Sequence, residues 1–495
     1  MSRTSPTETS ARQNRAISRR LMYLPAAVFF AYLVLTTLLF AFGPWTYPLR
    51  SGWVYAYLAA VHVAFAAGYL SVSRTRPTFD RIGWSPRVLV TLSVLVSGVL
   101  MVPTSLLNTG APLPDVIRGI VDPGGAYARS VNLTQRESVL TLVSYARVIA
   151  GPILVLLWPL TIFYWRRLSV VLRVLSITCV LFTMATFIAM GTNKSIADTL
   201  VIFPWILLAA HASGALRLSR RSAAALGVGW IAAMALWLSF FASTQVARVG
   251  SSSAHGAIPV ATPLVSATST PIQTTSAPPS VSPSASISPA ATGTPSPTTI
   301  PTATASQPPR PIIARVDYDN VLVQLAPEGR IQVGIVGMAS YVTQGYFALS
   351  LALEKPFIPM WGVGNSFFAT RQAARLLGRD EIMELPYPMR LRVDGWDPYG
   401  QWSSIYPWLA SDVSFPGTIV LVFLIGAIFA HAWRDALGGR NPYAVVMVAL
   451  LVVMLLYFPA NNQLVQFGEG FTGFWSTLFV WLLSRRSEGP ADAAT

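Results

Sequence analysis

Long apolar runs constrain this chain more than any other feature of its sequence. A helix needs about 20 predominantly apolar residues to cross the hydrocarbon core of a bilayer. Only 11% of the residues are charged, against about 25% in ordinary soluble domains. We therefore predict an all-α fold, a polytopic membrane helix bundle of about ten transmembrane helices. The predicted spans are Leu21–Phe42, Gly52–Val72, Val88–Leu107, Val148–Tyr164, Leu168–Met190, Ile196–Ala212, Ala223–Phe241, Phe415–Ala432, Tyr443–Phe458 and Phe471–Leu483.

One large block interrupts the predicted spans and divides the chain into four parts. Residues 1–241 are predicted to form an N-terminal membrane bundle of about seven spans, and residues 414–495 a second bundle of about three spans with a short tail. Residues 242–311 consist mostly of Ser, Thr, Pro and Ala, which bury too little apolar surface to offset the entropy of ordering. We predict a disordered linker there, followed by an ordered extracytoplasmic loop over residues 312–413.

The positions of the arginines predict which side of the membrane this block faces. Short basic connections are retained in the cytoplasm, and the arginines occupy alternate connections, whereas Gly43–Arg50 and Gly191–Ser195 carry little positive charge. We expect both termini in the cytoplasm and the block outside, in a multi-pass protein of the cytoplasmic (plasma) membrane. The net charge of +15 is spread between the spans and forms no single patch. We therefore expect membrane lipid, and no nucleic acid, as a partner.

The segment Ile331–Leu353 is the one whose crossing is ambiguous. It is long and apolar enough to span the membrane, but a crossing would move Arg434 and Arg440 to the outer side. Irregular structure at membrane depth is tolerated where it lines a protein cavity. We therefore predict a re-entrant or interfacial helix.

A row of arginines follows this segment. A turn ending at Asn365 precedes a helical pattern over Ser366–Gly378, in which Asn365 or Ser366 would cap the first turn. Arg371, Arg375 and Arg379 then lie on one face, four residues apart. Guanidinium groups match phosphate oxygens in paired geometry, so the row suits a phosphate or pyrophosphate. The alternatives are a solvated helix face or an anchor to anionic lipid head groups.

Three further charged residues are candidates at the outer ends of the spans. Lys194, one of two lysines in the chain, lies in the turn Gly191–Ser195 and either contacts an anion or snorkels to the interface. Arg147 lies at the outer end of the fourth span and either faces a cavity or anchors its helix. Asp412 directly precedes the eighth span and is a candidate general base, although most acids in loops are simply solvated.

The sequence contains no pattern that predicts a metal or nucleotide cofactor. The four histidines have no metal-ligand spacing, and neither a P-loop nor a dinucleotide fingerprint is present. The single cysteine, Cys179, lies inside a predicted span and excludes a disulfide framework. We expect no cofactor.

Several strings resemble bacterial oligosaccharide repeat-unit polymerases, the family that makes O-antigen, capsule and exopolysaccharide. The first runs from Tyr341 through Tyr346, and the second is Gly-Val-Gly-Asn-Ser at 362–366. A third runs from Trp402 to Asp412, and the turn at Gly191 resembles a turn of that family, with lysine where arginine is usual.

This resemblance implies transfer of a glycan from its polyprenyl pyrophosphate carrier to a lipid-linked repeat unit at the outer face of the membrane. It implies catalytic roles for Arg371, Arg375 and Asp412. The residues expected to bind substrate are Lys194, Tyr341, Tyr346, Asn365, Trp402 and Arg147. The partners would be the lipid-linked oligosaccharide and other polysaccharide export or chain-length proteins.

Three other functions compete with this interpretation. An O-antigen ligase would have a similar topology, but the external catalytic histidine of that family has no counterpart here. A glycosyltransferase that uses polyprenyl-phosphate sugars usually has an acidic pair in its first outer loop, and Gly43–Arg50 contains no acid. A transporter or flippase of lipid-linked glycans is the non-enzymatic alternative, for which inverted repeats and broken helices would be typical.

Overall fold

The computed structural model describes residues 19–72, 78–80, 82–135, 141–251, 314–327, 329–398 and 400–486. This part of the chain is predominantly helical, which confirms the all-α prediction. The predicted linker lies outside the described residues from position 252 onward. Its first ten residues, 242–251, are instead the end of a long helix, because the helix that begins at Arg220 continues to Ser251.

The helices follow the chain in this order: α1 (Arg19–Phe42), α2 (Trp53–Ser71), α3 (Pro86–Thr109), α4 (Val116–Val121), α5 (Pro123–Gln135), α6 (Thr141–Leu154), α7 (Leu157–Phe163), α8 (Val170–Ala189), α9 (Lys194–Ala212), α10 (Arg220–Ser251), α11 (Val321–Gln324), α12 (Arg330–Ala352), α13 (Phe367–Leu377), α14 (Tyr387–Arg390), α15 (Ile405–Gly438), α16 (Pro442–Tyr457) and α17 (Gly468–Ser484). Four short strands form two antiparallel pairs: β1 (Trp45–Thr46) with β3 (Arg315–Val316), and β2 (Phe79–Asp80) with β4 (Arg485–Arg486).

Eight helical stretches of the described chain are long and apolar enough to cross a membrane. They are α1, α2, α3, α6 with α7, α8, α9, α10 and α15. The other two predicted spans correspond to α16, of 16 residues, and α17, of 17 residues. Nearly every side chain of α16 is buried, so this short helix is surrounded by the others.

The connections between helices meet at two opposite ends of the bundle. At one end, the backbone N–H of Thr78 donates to Asp435 (2.8 Å), and Asn441 donates to Ser484 (2.9 Å). Arg87 donates to the carbonyl of Arg167 at the same end. We call this end the basic face, because the short connections rich in arginine meet there. The opposite end, which carries residues 43–52, 190–193, 314–327, 329–398, 400–404 and 458–467, is called the loop face.

Helix α12 begins and ends at the loop face. Near its start, the indole N–H of Trp45 donates to the carbonyl of Val336 (2.8 Å). Just after its end, Glu354 forms a salt bridge with Arg50 (3.2 Å). Because both ends contact the single connection between α1 and α2, the helix does not reach the basic face. Its second half, residues 343–352, is buried inside the protein, and its placement as a re-entrant or interfacial helix stays a prediction.

Helix α15 begins ten residues before the predicted span at Phe415. Its two helical segments join at Ser414, whose φ of +66° lies in the left-handed region. Pro416 follows and cannot donate a backbone hydrogen bond. The segment before the kink is helical and largely buried.

The closest helix packing, between α2 and α15, depends on two glycines. A Cβ atom at Gly68 would lie 1.9 Å from the carbonyl oxygen of Phe423, and one at Gly426 would lie 2.3 Å from that of Phe65. Neither position leaves room for a side chain. Small residues at such crossings allow the backbones of membrane helices to approach closely.

We expect Gly426→Ala to destabilise the protein because the new methyl group would push α2 away from α15. Overpacking of this kind typically costs about 1–3 kcal/mol. Thermal unfolding of the purified protein in detergent measures the effect. Gly98→Ala is the matched control, since Gly98 also lies in a predicted span but has nothing within 4 Å of its Cβ position. Equal unfolding temperatures for the two variants would contradict the proposed packing.

Candidate functional site

A buried polar segment lies at the centre of the loop face. Residues 458–467, here called the central segment, connect α16 to α17. Asn461, Asn462 and Gln466 are all at least nine-tenths buried. Asn462 Oδ1 and Gln466 Nε2 have no hydrogen-bond partner among the described residues. Buried polar atoms are nearly always paired, so these two amide atoms mark a place where a ligand can complete the bonding.

Helix α13 is anchored to the central segment. The backbone N–H of Phe367 donates to Gln466 Oε1 (2.8 Å), and that of Phe368 donates to the carbonyl of Gln466 (3.1 Å). The structure confirms the predicted cap, because Ser366 Oγ accepts from the N–H of Ala369 (3.3 Å). It also confirms the predicted stop at Gly378, whose φ is +62°. These contacts fix the position and direction of the helix.

Arg371 and Arg375 project from the exposed face of α13. The Arg371 guanidinium lies over the Phe367 ring, 4.8 Å from its centroid. Arg375 Nη1 donates to the hydroxyl of Tyr145 in α6 (2.9 Å). Arg379 lies beyond the helix and forms an exposed ion pair with Glu381 (2.7 Å). The helix therefore presents two of the three predicted arginines next to α6.

Asp412 holds a loop in place, and it does not have the free carboxylate that a general base needs. Its Oδ1 accepts from the N–H groups of Gly362 and Gly364, both at 2.8 Å. Its Oδ2 accepts from the N–H and the side-chain amide of Asn365, at 2.9 and 2.7 Å. Four donors thus occupy the two oxygens. We therefore replace the predicted catalytic role of Asp412 with a positioning role for residues 360–366.

The same contacts change the interpretation of two predicted substrate ligands. The side chain of Asn365 is occupied by Asp412 and by the carbonyl of Gly362 (3.0 Å). Tyr346 is completely buried, and its hydroxyl is paired with that of Thr36 in α1 (3.0 Å). In this structure no part of Tyr346 is exposed to a ligand, and substrate binding by this residue stays a prediction. Its role is to pack α12 against α1.

Arg147 pairs with a carboxylate that the sequence analysis did not single out. Its guanidinium forms a salt bridge with Glu469 at the start of α17, and Nη1 donates to Thr104 (2.8 Å). Gly468, the neighbour of Glu469, lies against the ring of Phe368 in α13. Glu469 therefore lies beside the arginine helix. The two residues are 322 positions apart, and no local pattern indicates the pair.

Lys194 and Tyr341 lie near the other end of the central segment. Lys194 Nζ bonds Asp198 Oδ2 (2.5 Å), while Asp198 Oδ1 is buried with no partner among the described residues. Tyr341 contacts the rings of Phe241 and Trp402, with centroids 5.9 and 6.4 Å apart. The predicted binding residues therefore fall into two groups, one at each end of the central segment.

A second set of cations on the loop face was missed. Lys355, Arg390 and Arg392 line a cavity of about 440 Å³ together with Glu384. Lys355 forms a salt bridge with Asp394 (2.6 Å) and Arg392 forms one with Glu384 (3.1 Å), so of the three only Arg390 has no ion pair with a described carboxylate. Arg390 stacks on the ring of Tyr387, 4.4 Å from its centroid, and its Nε and Nη2 are buried without hydrogen-bond partners in the described chain. Burial lowers the pKa of Arg390, so an anion in this cavity would stabilise the charged form. The sequence signal was the pair of arginines two residues apart, whereas Lys355 lies 35 residues earlier in the chain.

The apolar helices define a multi-pass membrane protein. No protein-family model, curated protein or solved structure matches the chain. Within the described residues, no group of three or more His, Cys, Asp or Glu side chains is placed to hold a metal ion. The loop face combines the guanidinium groups of α13 with the buried and partly unpaired amides of the central segment, to which the first turn of α13 is bonded, and guanidinium groups bind anions in paired geometry.

We expect Asp412→Asn to loosen the loop at 360–366 without unfolding the bundle. An amide has one acceptor oxygen and cannot accept on its nitrogen, and each hydrogen bond to a charged group is worth about 1.5–3 kcal/mol. Hydrogen–deuterium exchange at Gly362, Gly364 and Asn365 should accelerate about tenfold or more. Asp380→Asn, an exposed acid of the same segment, is the control. Unchanged exchange in Asp412→Asn would exclude the positioning role.

Proposed function

We propose that this protein polymerises polyprenyl-pyrophosphate-linked oligosaccharide repeat units into a surface polysaccharide at the outer face of the cytoplasmic membrane. One observation carries the proposal. Arg371 and Arg375 are presented by a helix whose first turn is bonded to the buried central segment. Cations held in this way are already oriented for a diphosphate, which is how electrostatic stabilisation of a leaving group becomes effective.

The arrangement of charged groups fits a direct glycosyl transfer. A hydroxyl oxygen of the incoming repeat unit forms a bond to the anomeric carbon, while the bond from that carbon to the pyrophosphate oxygen breaks. Arg371 and Arg375 stabilise the negative charge that develops on the departing pyrophosphate. Glu469, oriented by its salt bridge with Arg147, accepts the proton of the hydroxyl. It replaces Asp412 as the general base in this proposal.

The remaining parts of the loop face serve to bind the glycan. Tyr341 and Trp402 offer ring surfaces of the kind that sugars pack against, and Lys194 contributes a second cationic contact. The polyprenyl chains would lie along the apolar bundle, whose outer side chains are extensively hydrophobic. Glycan and carrier are thereby held at the boundary between the lipid and the loop face.

A transporter or flippase of lipid-linked glycans is the second candidate. One observation favours it: the carboxylate predicted as the base, Asp412, is fully engaged by four donors. A protein that binds and transports a lipid-linked glycan needs cations and amide groups to hold the ligand, but it needs no general base. An O-antigen ligase-like transfer would use the same anion site with a different acceptor. The length distribution of the surface glycan distinguishes these three functions.

We expect Arg371→Ala, Arg375→Ala and Glu469→Gln each to slow polymerisation by about 10²–10³-fold, the usual effect of losing one group that stabilises or drives the transition state. Gel analysis of surface polysaccharide should then show single repeat units without long chains. Arg379→Ala is the matched control, because Arg379 is paired with Glu381 away from the site. Loss of all surface glycan, including single units, would instead indicate transport or ligation.

The proposal also requires the loop face to lie outside the cytoplasm. In a Cys179→Ala background, a membrane-impermeant maleimide should label Glu381→Cys in intact cells, since Glu381 is exposed on the loop face. Ser219→Cys, exposed at the basic face, should react only after the cells are broken. The opposite labelling pattern would place the arginine helix in the cytoplasm and exclude the proposed reaction.

A further inference from the structure

A cleft near the basic face lies far from the groups described above. Its volume is about 640 Å³, within the range of about 300–1,000 Å³ typical of ligand pockets. Helices α7, α8, α9 and α10 form its sides, together with the connection 216–218. It opens at the end of the bundle opposite Arg371 and Arg375, so it is not part of the proposed glycan site.

The walls of the cleft are apolar. Trp158 and Ile162 line it from α7, and Phe203 and Leu207 line it from α9. Each pair is spaced four residues apart, so each helix turns one continuous face to the cleft. The rings of Trp158 and Phe203 stack with centroids 6.4 Å apart. Such walls match a hydrocarbon chain.

Three arginines line the same cleft without a counter-charge. They are Arg166, Arg173 and Arg217, and none of the described residues around the cleft is acidic. Arg173 is held by Trp165: its Nε donates to the carbonyl (2.8 Å), and its guanidinium lies 5.2 Å from the ring centroid. Arg166 and Arg217 form no salt bridge with a described carboxylate. An anion is therefore the complementary ligand.

A buried hydroxyl lies among the apolar walls. Thr161 of α7 is completely buried, lines the cleft, and its Oγ1 has no hydrogen-bond partner in the described chain. Leaving a hydroxyl unpaired in an apolar environment costs about 1–3 kcal/mol. A ligand oxygen located next to the hydrocarbon part of the ligand would remove this cost.

We propose that the cleft binds an anionic glycerophospholipid. Its phosphate lies at Arg166, Arg173 and Arg217, a glycerol ester oxygen accepts from Thr161, and an acyl chain follows the apolar walls. Basic pockets between membrane helices bind acidic lipid head groups. A polyprenyl phosphate would satisfy the arginines but lacks the ester oxygens that Thr161 requires, so we assign the cleft to the glycerophospholipid.

Native mass spectrometry of the full-length protein with dioleoyl phosphatidylglycerol tests this assignment. The protein should retain this lipid in preference to dioleoyl phosphatidylcholine, and the double variant Arg166→Gln/Arg217→Gln should bind it about thirtyfold more weakly. Arg220→Gln/Arg221→Gln is the matched control, because it removes the same charge at the same end but outside the cleft. Equal lipid retention by the two double variants would overturn the proposal.

Two further measurements complete the test. Thr161→Val preserves the shape of the side chain and should weaken phosphatidylglycerol binding severalfold without lowering the unfolding temperature in pure phosphatidylcholine, because it removes a hydroxyl that is unpaired when the cleft is empty. Phosphatidylglycerol should raise the unfolding temperature of the unmodified protein, because a ligand that binds only the folded state stabilises it. Preferential retention of undecaprenyl phosphate over phosphatidylglycerol, with no effect of Thr161→Val, would show that the cleft takes the carrier lipid instead.

Discussion

Backbone polar groups at membrane depth must find their partners within the protein, and the central segment is where this requirement is strongest. Helix α16 has 16 residues, which at about 1.5 Å per residue span about 24 Å, less than the roughly 30 Å of a hydrocarbon core. The chain therefore leaves helical geometry while it is still buried among the other helices. Residues 458–467 can remain there only because neighbouring elements bond to them.

Those bonds organise the rest of the loop face. The carbonyl of Phe458 accepts from Ile405 (3.0 Å), which fixes the start of α15. Gln466 accepts from the first turn of α13, and Asn462 donates to the carbonyl of Asn365 (2.5 Å). Asp412 then closes the loop between these contacts. The position of the arginine helix is thus a consequence of bonding the buried central segment, and contacts of the arginines themselves with Phe367 and Tyr145 complete their placement.

Features set by neighbouring residues in the sequence could be predicted, whereas contacts between residues far apart in the chain could not. Apolar runs gave eight long helices, and the cap at Ser366 and the stop at Gly378 follow from residue type alone. The role of Asp412 could not be predicted, because its donors lie 47–50 residues away. The same holds for Tyr346, which is buried by a partner 310 residues away. Periodicity describes which face of a helix is apolar but not which neighbour covers it.

The two ends of the bundle hold their arginines in physically different ways. At the loop face, Arg375 is bonded to a neighbouring helix, and its own helix is fixed at its first turn. At the basic face, Arg166 and Arg217 are exposed and lie in or next to short connections. Charges that must stabilise a transition state have to be held in place beforehand, whereas charges that attract a lipid head group need only be near the surface. The loop-face set therefore suits chemistry, and the basic-face set, in which Arg173 is held by Trp165 but Arg166 and Arg217 are exposed, suits a resident lipid.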